Sequence, residues 1–286
     1  MAPLRSHLKR AARAAVRATT RHSGWLALRG TVDPRPRLRV LTYHHIRDCQ
    51  SDPFSVSPTS FAQQMDWLSQ RERCVSLTRV LAVREGAARA PDGAVLVTID
   101  DGYGDAWSQA VPVLSSRGIP AVFFVPAGLI REAGTQPGDG TPEHMDWGQV
   151  RACVAAGFEV GAHGWSHTSM GVVSDADLWR ETAHARHLVE SAVGRPVRAF
   201  AYPYGTRADT GTLAGAAVRA AGYECAFSAQ HGAIVGGEDP FLLPRVKVEG
   251  TDDLSAFRAI VDGAQDAWAL VDRLLWRFQE TPAASA

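Results

Sequence analysis

The sequence predicts an α/β fold built on a parallel sheet, and three observations carry that prediction. Strand-like runs at 38–43, 94–99, 119–125, 158–162, 197–201, 223–228 and 244–248 alternate with helix-like stretches near 60–70, 105–117, 147–156, 175–193 and 208–221. Repeated alternation of this kind is the pattern of a parallel sheet with crossover helices. The run Ala94-Val95-Leu96-Val97-Thr98-Ile99 has the β-branched content of a strand buried in such a sheet. Finally, 286 residues with 45% hydrophobic content can bury one large core, and barrels of this size form single units. No internal repeat is visible.

The elements follow from local signals. The helix near 60 has a start signal in Pro58-Thr59-Ser60 and apolar spacing at Phe61, Met65 and Leu68. Asp146 is placed to cap the helix that begins at Trp147. Gly134-Thr135-Gln136-Pro137-Gly138-Asp139-Gly140 is a loop by composition, expected at the rim of a cleft. After Val248 the sequence predicts a terminal helix around Leu254 to Phe278, then a polar, Ala-rich tail.

The chemistry concentrates in a few residues. Asp100 and Asp101 end the run 94–99, and Gly102 follows at once. Such a pair sits at the C-terminal edge of a strand, where α/β folds place their reactive groups. Neighbouring side chains on a strand point to opposite sides, but at a strand end turning into a glycine loop both can face one cavity. About sixty residues later comes His163-Gly164-Trp165-Ser166-His167, at the end of the strand-like Phe158–Ala162. One Asp and two His suit a divalent metal with open positions, and the second Asp is left to take a proton from water. That is a kit for metal-assisted hydrolysis.

Thr98-Ile99-Asp100-Asp101-Gly102 resembles the T-F-D-D-G motif of the polysaccharide deacetylase family, the NodB-homology domain or carbohydrate esterase family 4. His163 to His167 resembles its H-x-x-x-H motif, and Phe200-Ala201-Tyr202-Pro203-Tyr204-Gly205 its third motif in the F-A-Y-P-Y-G variant. The three occur in the family's order across roughly residues 37 to 250. The resemblance narrows the fold to a distorted, incomplete (β/α) barrel. It implies Asp100 as general base, Asp101, His163 and His167 as metal ligands, and the Tyr204 backbone N–H as oxyanion donor. Zinc is the leading metal for two imidazoles and a carboxylate, although cobalt, nickel or iron also bind such a set.

Departures from the family pattern shape the mechanism. The third motif often carries an Arg where this chain has Ala201, and that Arg orients the base. Arg245, in Leu243-Pro244-Arg245-Val246, is the candidate replacement. The family's late general-acid His has no counterpart, because the last His is His231. Leu38 to Ile46 resembles the L-x-Y-H-x-I motif of a branch related to poly-N-acetylglucosamine deacetylases, which implies His44 as the acid, with His45 flanking it. Adjacent strand residues face opposite ways, so at most one of the two reaches the pocket. Trp147 is a candidate sugar-stacking wall or a core residue, and Tyr202 a candidate pocket residue.

Charge is balanced overall but unequally placed. Residues 1–39 hold ten Lys or Arg against Asp33 alone, which leaves the remainder net acidic by nine. Leu4, Leu8, Ala12 and Val16 form a stripe among basic residues, so 1–22 reads either as a basic, weakly amphipathic helix that rests on an anionic membrane surface or as a frayed basic extension. No basic patch accompanies the site motifs, which argues against nucleic acid as partner. No signal-peptide core or spanning segment is evident, and Cys49, Cys74, Cys153 and Cys225 lack paired spacing. The expected location is cytoplasmic, with a peripheral position at the inner membrane face only on the membrane-resting reading of 1–22.

The expected organisation is a basic extension (1–36), a deacetylase domain (37–250) and a C-terminal helix with tail (251–286). The expected activity is metal-dependent N-deacetylation of an N-acetylated sugar in a polysaccharide or a lipid-linked precursor. An O-acetyl carbohydrate esterase and a catalytically impaired glycan-binding module are the alternatives.

Overall fold

The computed structural model describes residues 35–91, 93–135 and 143–274, with the single positions 12, 15, 19 and 20. The basic stripe of residues 1–22 therefore lies almost wholly outside the described residues, as do most of the loop 134–140 and the tail. β1 (Arg39–Tyr43) leads into β2 (His45–Ile46), which pairs in parallel with β3 (Ser55–Val56) as a small second sheet. α1 (Pro58–Ser69) begins where the Ser57 side chain accepts the Ser60 N–H, with proline in the first turn. α2 (Leu77–Arg84) and β4 (Val95–Ile99) follow, and a π-helical turn (Ala106–Ala110) runs on into α3 (Val111–Ser116).

After β5 (Ala121–Val125), α4 (Trp147–Ala155) starts in a reciprocal cap: Asp146 accepts the Gln149 N–H, and the Gln149 side chain accepts the Asp146 N–H. β6 (Glu159–Ala162) comes next. α5 (Asp175–Trp179), a second π-helical turn (Arg180–His184) and α6 (Ala185–Val193) run consecutively where the sequence predicts one helix. β7 (Ala199–Ala201), α7 (Thr212–Ala220), β8 (Cys225–Phe227) and β9 (Val246–Lys247) complete the sheet. The terminal helix breaks at Gly263, whose φ is +97°, giving α8 (Leu254–Asp262) and α9 (Trp268–Leu274).

Seven parallel strands in the order β8-β7-β6-β5-β4-β1-β9 curl into the incomplete barrel. One segment links the two ends of the sheet: Leu243 bridges to Phe227 of β8, while Val246 and Lys247 form β9, paired with Leu41 and Thr42 of β1. Arg245 lies between these contacts.

Strand alternation sorts the core into two clusters. Leu41, Tyr43, Val95, Val97, Ile99, Phe123 and Val125 pack with the helices around Phe61, Leu114 and Phe257. Val40, Leu96, Val122, Phe124, Ala199 and Ala201 gather on the other face, closed at the strand starts by Leu77, Val80 and Leu81 of α2. Thr98 and Asp100 continue the even-numbered register of Leu96, which aims Asp100 into the barrel mouth. α8 is integral to this core through Phe257, Ile260 and Val261, and Arg39 reaches both Asp266 carboxylate oxygens and the Val261 carbonyl. Among the described residues, no helix is long and apolar enough to cross a membrane.

Candidate active site

Asp100 and Asp101 do turn to one cavity, because the chain reverses its twist between them. Asp101 has φ +67° and Gly102 φ +64°, so the second carboxylate is rotated off the strand's alternation. Asp101, His167 and Tyr204 are three of four described non-glycine residues with positive φ. Such backbone outliers persist where surrounding structure over-determines them, and here they cluster at one place.

Each carboxylate has a different partner. Arg245 Nη1 donates to Asp100 Oδ1 and Nη2 contacts Oδ2, both at 2.8 Å, while Arg245 Nε donates to the Ser228 carbonyl at 3.0 Å. Both side chains are buried. Asp101 Oδ1 lies 3.2 Å from His163 Nε2 and 3.0 Å from His167 Nε2. His163 Nε2 is also 3.9 Å from Asp100 Oδ2.

His163 leaves β6 with its N–H donated to the Val125 carbonyl, and its Nδ1 stands 2.7 Å from the Ala201 carbonyl. A carbonyl accepts only, so Nδ1 carries hydrogen and the neutral ring presents its Nε2 lone pair to Asp101. A lone pair facing a carboxylate needs a proton or a metal cation between them. Among the described residues, Asp101 Oδ1 is in fact a buried oxygen without a completed hydrogen bond, despite the short distances. Burial pushes the Asp101 carboxyl up, but the two imidazoles more than offset it and hold it well below the usual carboxylate range. Burial lowers His163, and the Asp101 and Asp100 carboxylates outweigh that and raise it. Ligand atoms of Asp101, His163 and His167 all lie within 4.8 Å of one another, the set that fits a divalent metal.

The histidine doublet splits as strand geometry requires. His45 Nδ1 meets Asp105 Oδ2 at 2.7 Å, and its ring stacks on Tyr103 with centroids 3.6 Å apart. His44 packs edge-on against Phe54 at 4.8 Å and interacts electrostatically with Asp101 and Asp100. Its Nδ1 is buried and without a hydrogen-bond partner among the described residues. Burial pushes the His44 imidazole down to about 4, against the raising pull of the two carboxylates.

Tyr204 is the centre of a three-residue turn in which the Gly205 N–H donates to the Pro203 carbonyl at 2.6 Å. Its φ is +60°, its ring sits 5.0 Å from that of His167, and the residue is about half exposed. Gly205 is required there, since a Cβ would fall 2.6 Å from the Ala229 nitrogen.

One expectation is corrected, and one of two alternatives gains support. Tyr202 does not line the cavity: it is 0% exposed, donates its hydroxyl to the Phe241 carbonyl and packs on Phe200. Alternation on β7 turns it into the helix-facing core. Trp147 is half-buried against that same core, which leaves its sugar-stacking role without support. Sequence reasoning missed Tyr103, whose hydroxyl is pushed up by burial and by neighbouring Asp101, and the buried carboxylates of Glu181 and Asp209. The only sequence signal for Tyr103 was its place beside Gly102.

Residues 87–226 match the polysaccharide deacetylase family. The Bacillus subtilis protein YxkH is 25% identical over 227 residues, covering 79% of this chain and 76% of that protein. A poly-beta-1,6-N-acetyl-D-glucosamine N-deacetylase of Escherichia coli K12 is 24% identical over 137 residues, 44% of this chain but 20% of that longer protein. The solved structure of IcaB from Ammonifex degensii superposes with a TM-score of 0.68 at 27% identity, covering 80% of this chain and 97% of IcaB.

Proposed function

Because this chain belongs to the polysaccharide deacetylase family, we propose that it is a metal-dependent hydrolase that removes acetyl groups from N-acetylglucosamine units of a polysaccharide. The observation that carries the reading is the division of labour between adjacent carboxylates, Asp100 in a bidentate clamp and Asp101 between two imidazoles. The name of the Escherichia coli relative supports the choice of sugar. Nothing comparable supports membrane contact through residues 1–22.

Asp101, His163 and His167 would hold a divalent cation, with zinc the first choice, and that ion would supply positive charge to polarise the acetamide carbonyl and acidify water. Asp100 accepts the proton of the attacking water, and Arg245 fixes both its oxygens so that the receiving lone pair has one direction. The Tyr204 N–H, held by the tight turn, donates to the oxygen that gains negative charge. His44 delivers a proton to the departing nitrogen. Burial leaves it neutral at pH 7, so it first takes up a proton from solvent, a step that developing negative charge at the carbonyl oxygen favours. Asp100 returns its proton to solvent after the products leave.

That same burial favours a second reading, an O-acetyl esterase, because an alkoxide leaving group needs an acid less than an amine does. The binding-module reading loses one of its motives, since Arg245 bonds Asp100, a contact that Ala201 cannot make. Acetate release from β-1,6-linked N-acetylglucosamine oligomers, set against release from an O-acetylated sugar after chelation and zinc addition, separates the three.

A further inference from the structure

Two buried carboxylates lie behind the metal-ligand loop, and neither belongs to the reacting set. Glu181, on the π-helical turn 180–184, is 3% exposed. Its Oε2 accepts the N–H groups of Trp165 at 2.8 Å and Ser166 at 3.1 Å, and its Oε1 accepts the Ser166 hydroxyl at 2.6 Å. Gly164 makes the approach possible, since a Cβ there would stand 2.7 Å from Glu181 Oε2. Asp209 is 0% exposed and accepts the Ser169 hydroxyl, the Thr206 N–H at 2.9 Å and the Thr206 hydroxyl at 2.5 Å. Among the described residues, neither carboxylate forms an ion pair.

We propose that Glu181 and Asp209 are positioning residues that clamp the two ends of the loop 165–169 and thereby aim His167 at the cation site. His167 sits between the clamped positions with φ +59°, a conformation that a non-glycine residue keeps only when its surroundings enforce it. A buried anion satisfied only by N–H and O–H donors is a costly way to stabilise a loop, because an apolar replacement avoids the desolvation. It is an effective way to fix the orientation of backbone dipoles, and partners of this kind behind metal ligands govern affinity. The π turn fits the role: such bulges recur at functional sites, and this one sets Glu181 beneath the loop from a helix that otherwise packs on the core. Asp209 also joins the His167 loop to the turn that follows Tyr204, so one carboxylate holds two parts of the site in register.

The inference rests on the metal-ligand reading above, and its test uses metal alone, without sugar. Zinc affinity is measured by chelator competition, and the ligand field by the visible spectrum of the cobalt-substituted protein. Glu181→Gln is expected to weaken zinc binding about ten- to a hundredfold and to shift the cobalt bands. Thr182→Val, which removes a hydroxyl bonded to the Leu178 carbonyl in the same turn, is the stability control and should move neither. Should Glu181→Gln fail to fold, Asp209→Asn gives the same readout and the same expectation. Unchanged zinc affinity in these variants, or equal losses in Thr182→Val, would overturn the proposal, as would a wild-type chain that takes up no metal. Metal binding with the expected variant pattern but without acetate release would support the clamp and sink the deacetylase reading instead.

Discussion

Arg245 and Asp100 meet through both guanidinium Nη atoms and both carboxylate oxygens, each pair at 2.8 Å, across 145 residues of sequence. The clamp exists because the segment 243–247 bridges to β8 at Leu243 and enters the other end of the sheet as β9, which delivers Arg245 into the mouth between them. Removing the cation leaves a buried carboxylate uncompensated. Arg245→Met should therefore lower stability by about 3–5 kcal/mol in urea unfolding. Arg245→Lys keeps the charge but loses the fork, so it should fold while kcat/KM for acetate release falls about a hundredfold.

The convergence of Asp101, His163 and His167 predicts metal-dependent stability. Zinc at a hundred times its dissociation constant should add about 2.7 kcal/mol to unfolding stability relative to chelated protein. His163→Ala and His167→Ala should each abolish that increment in a thermal melt with and without zinc.

His44 predicts a pH dependence with a definite sign. Burial depresses its pKa from 6.5 to about 4, so between these values the unfolded chain binds the proton more readily than the folded one. Stability of the metal-free protein should fall as pH drops from about 6.5 to about 4, by no more than about 3 kcal/mol from this group. His163, raised by Asp101 and Asp100, works in the opposite direction, so the readout is the difference between wild type and His44→Ala. The wild type should show the steeper loss below pH 6.5, and parallel curves would contradict the assignment.

The Tyr204 backbone, rather than its phenol, carries the proposed role. Tyr204→Phe should keep kcat/KM within about twofold, because the donor N–H and the turn are unchanged. Tyr204→Pro should be inactive, since proline lacks the N–H and cannot adopt φ +60°. Activity assays on both variants check this pair.

Much of this architecture was legible in the sequence because its signals are local. Every predicted strand is present, since runs such as 94–99 and 119–125 are apolar and end in turn residues. Asp100, Asp101, His163 and His167 converge as their strand-end positions suggested. What escaped depends on tertiary context. β2 and β3 span two residues each, too short for any periodicity, and α2 is defined by closing one end of the barrel. Tyr202 was misplaced because its motif says nothing of which face of β7 it occupies. Glu181 resembles any helical glutamate until the fold sets the loop 164–167 upon it.

The central claim is tested most directly by acetate released from a β-1,6-linked N-acetylglucosamine oligomer by chelated, zinc-restored and Asp100→Asn protein. The account predicts release only in the zinc-restored wild type, with Asp100→Asn still binding zinc. Release that persists after chelation, or that survives in Asp100→Asn at the wild-type rate, would contradict it.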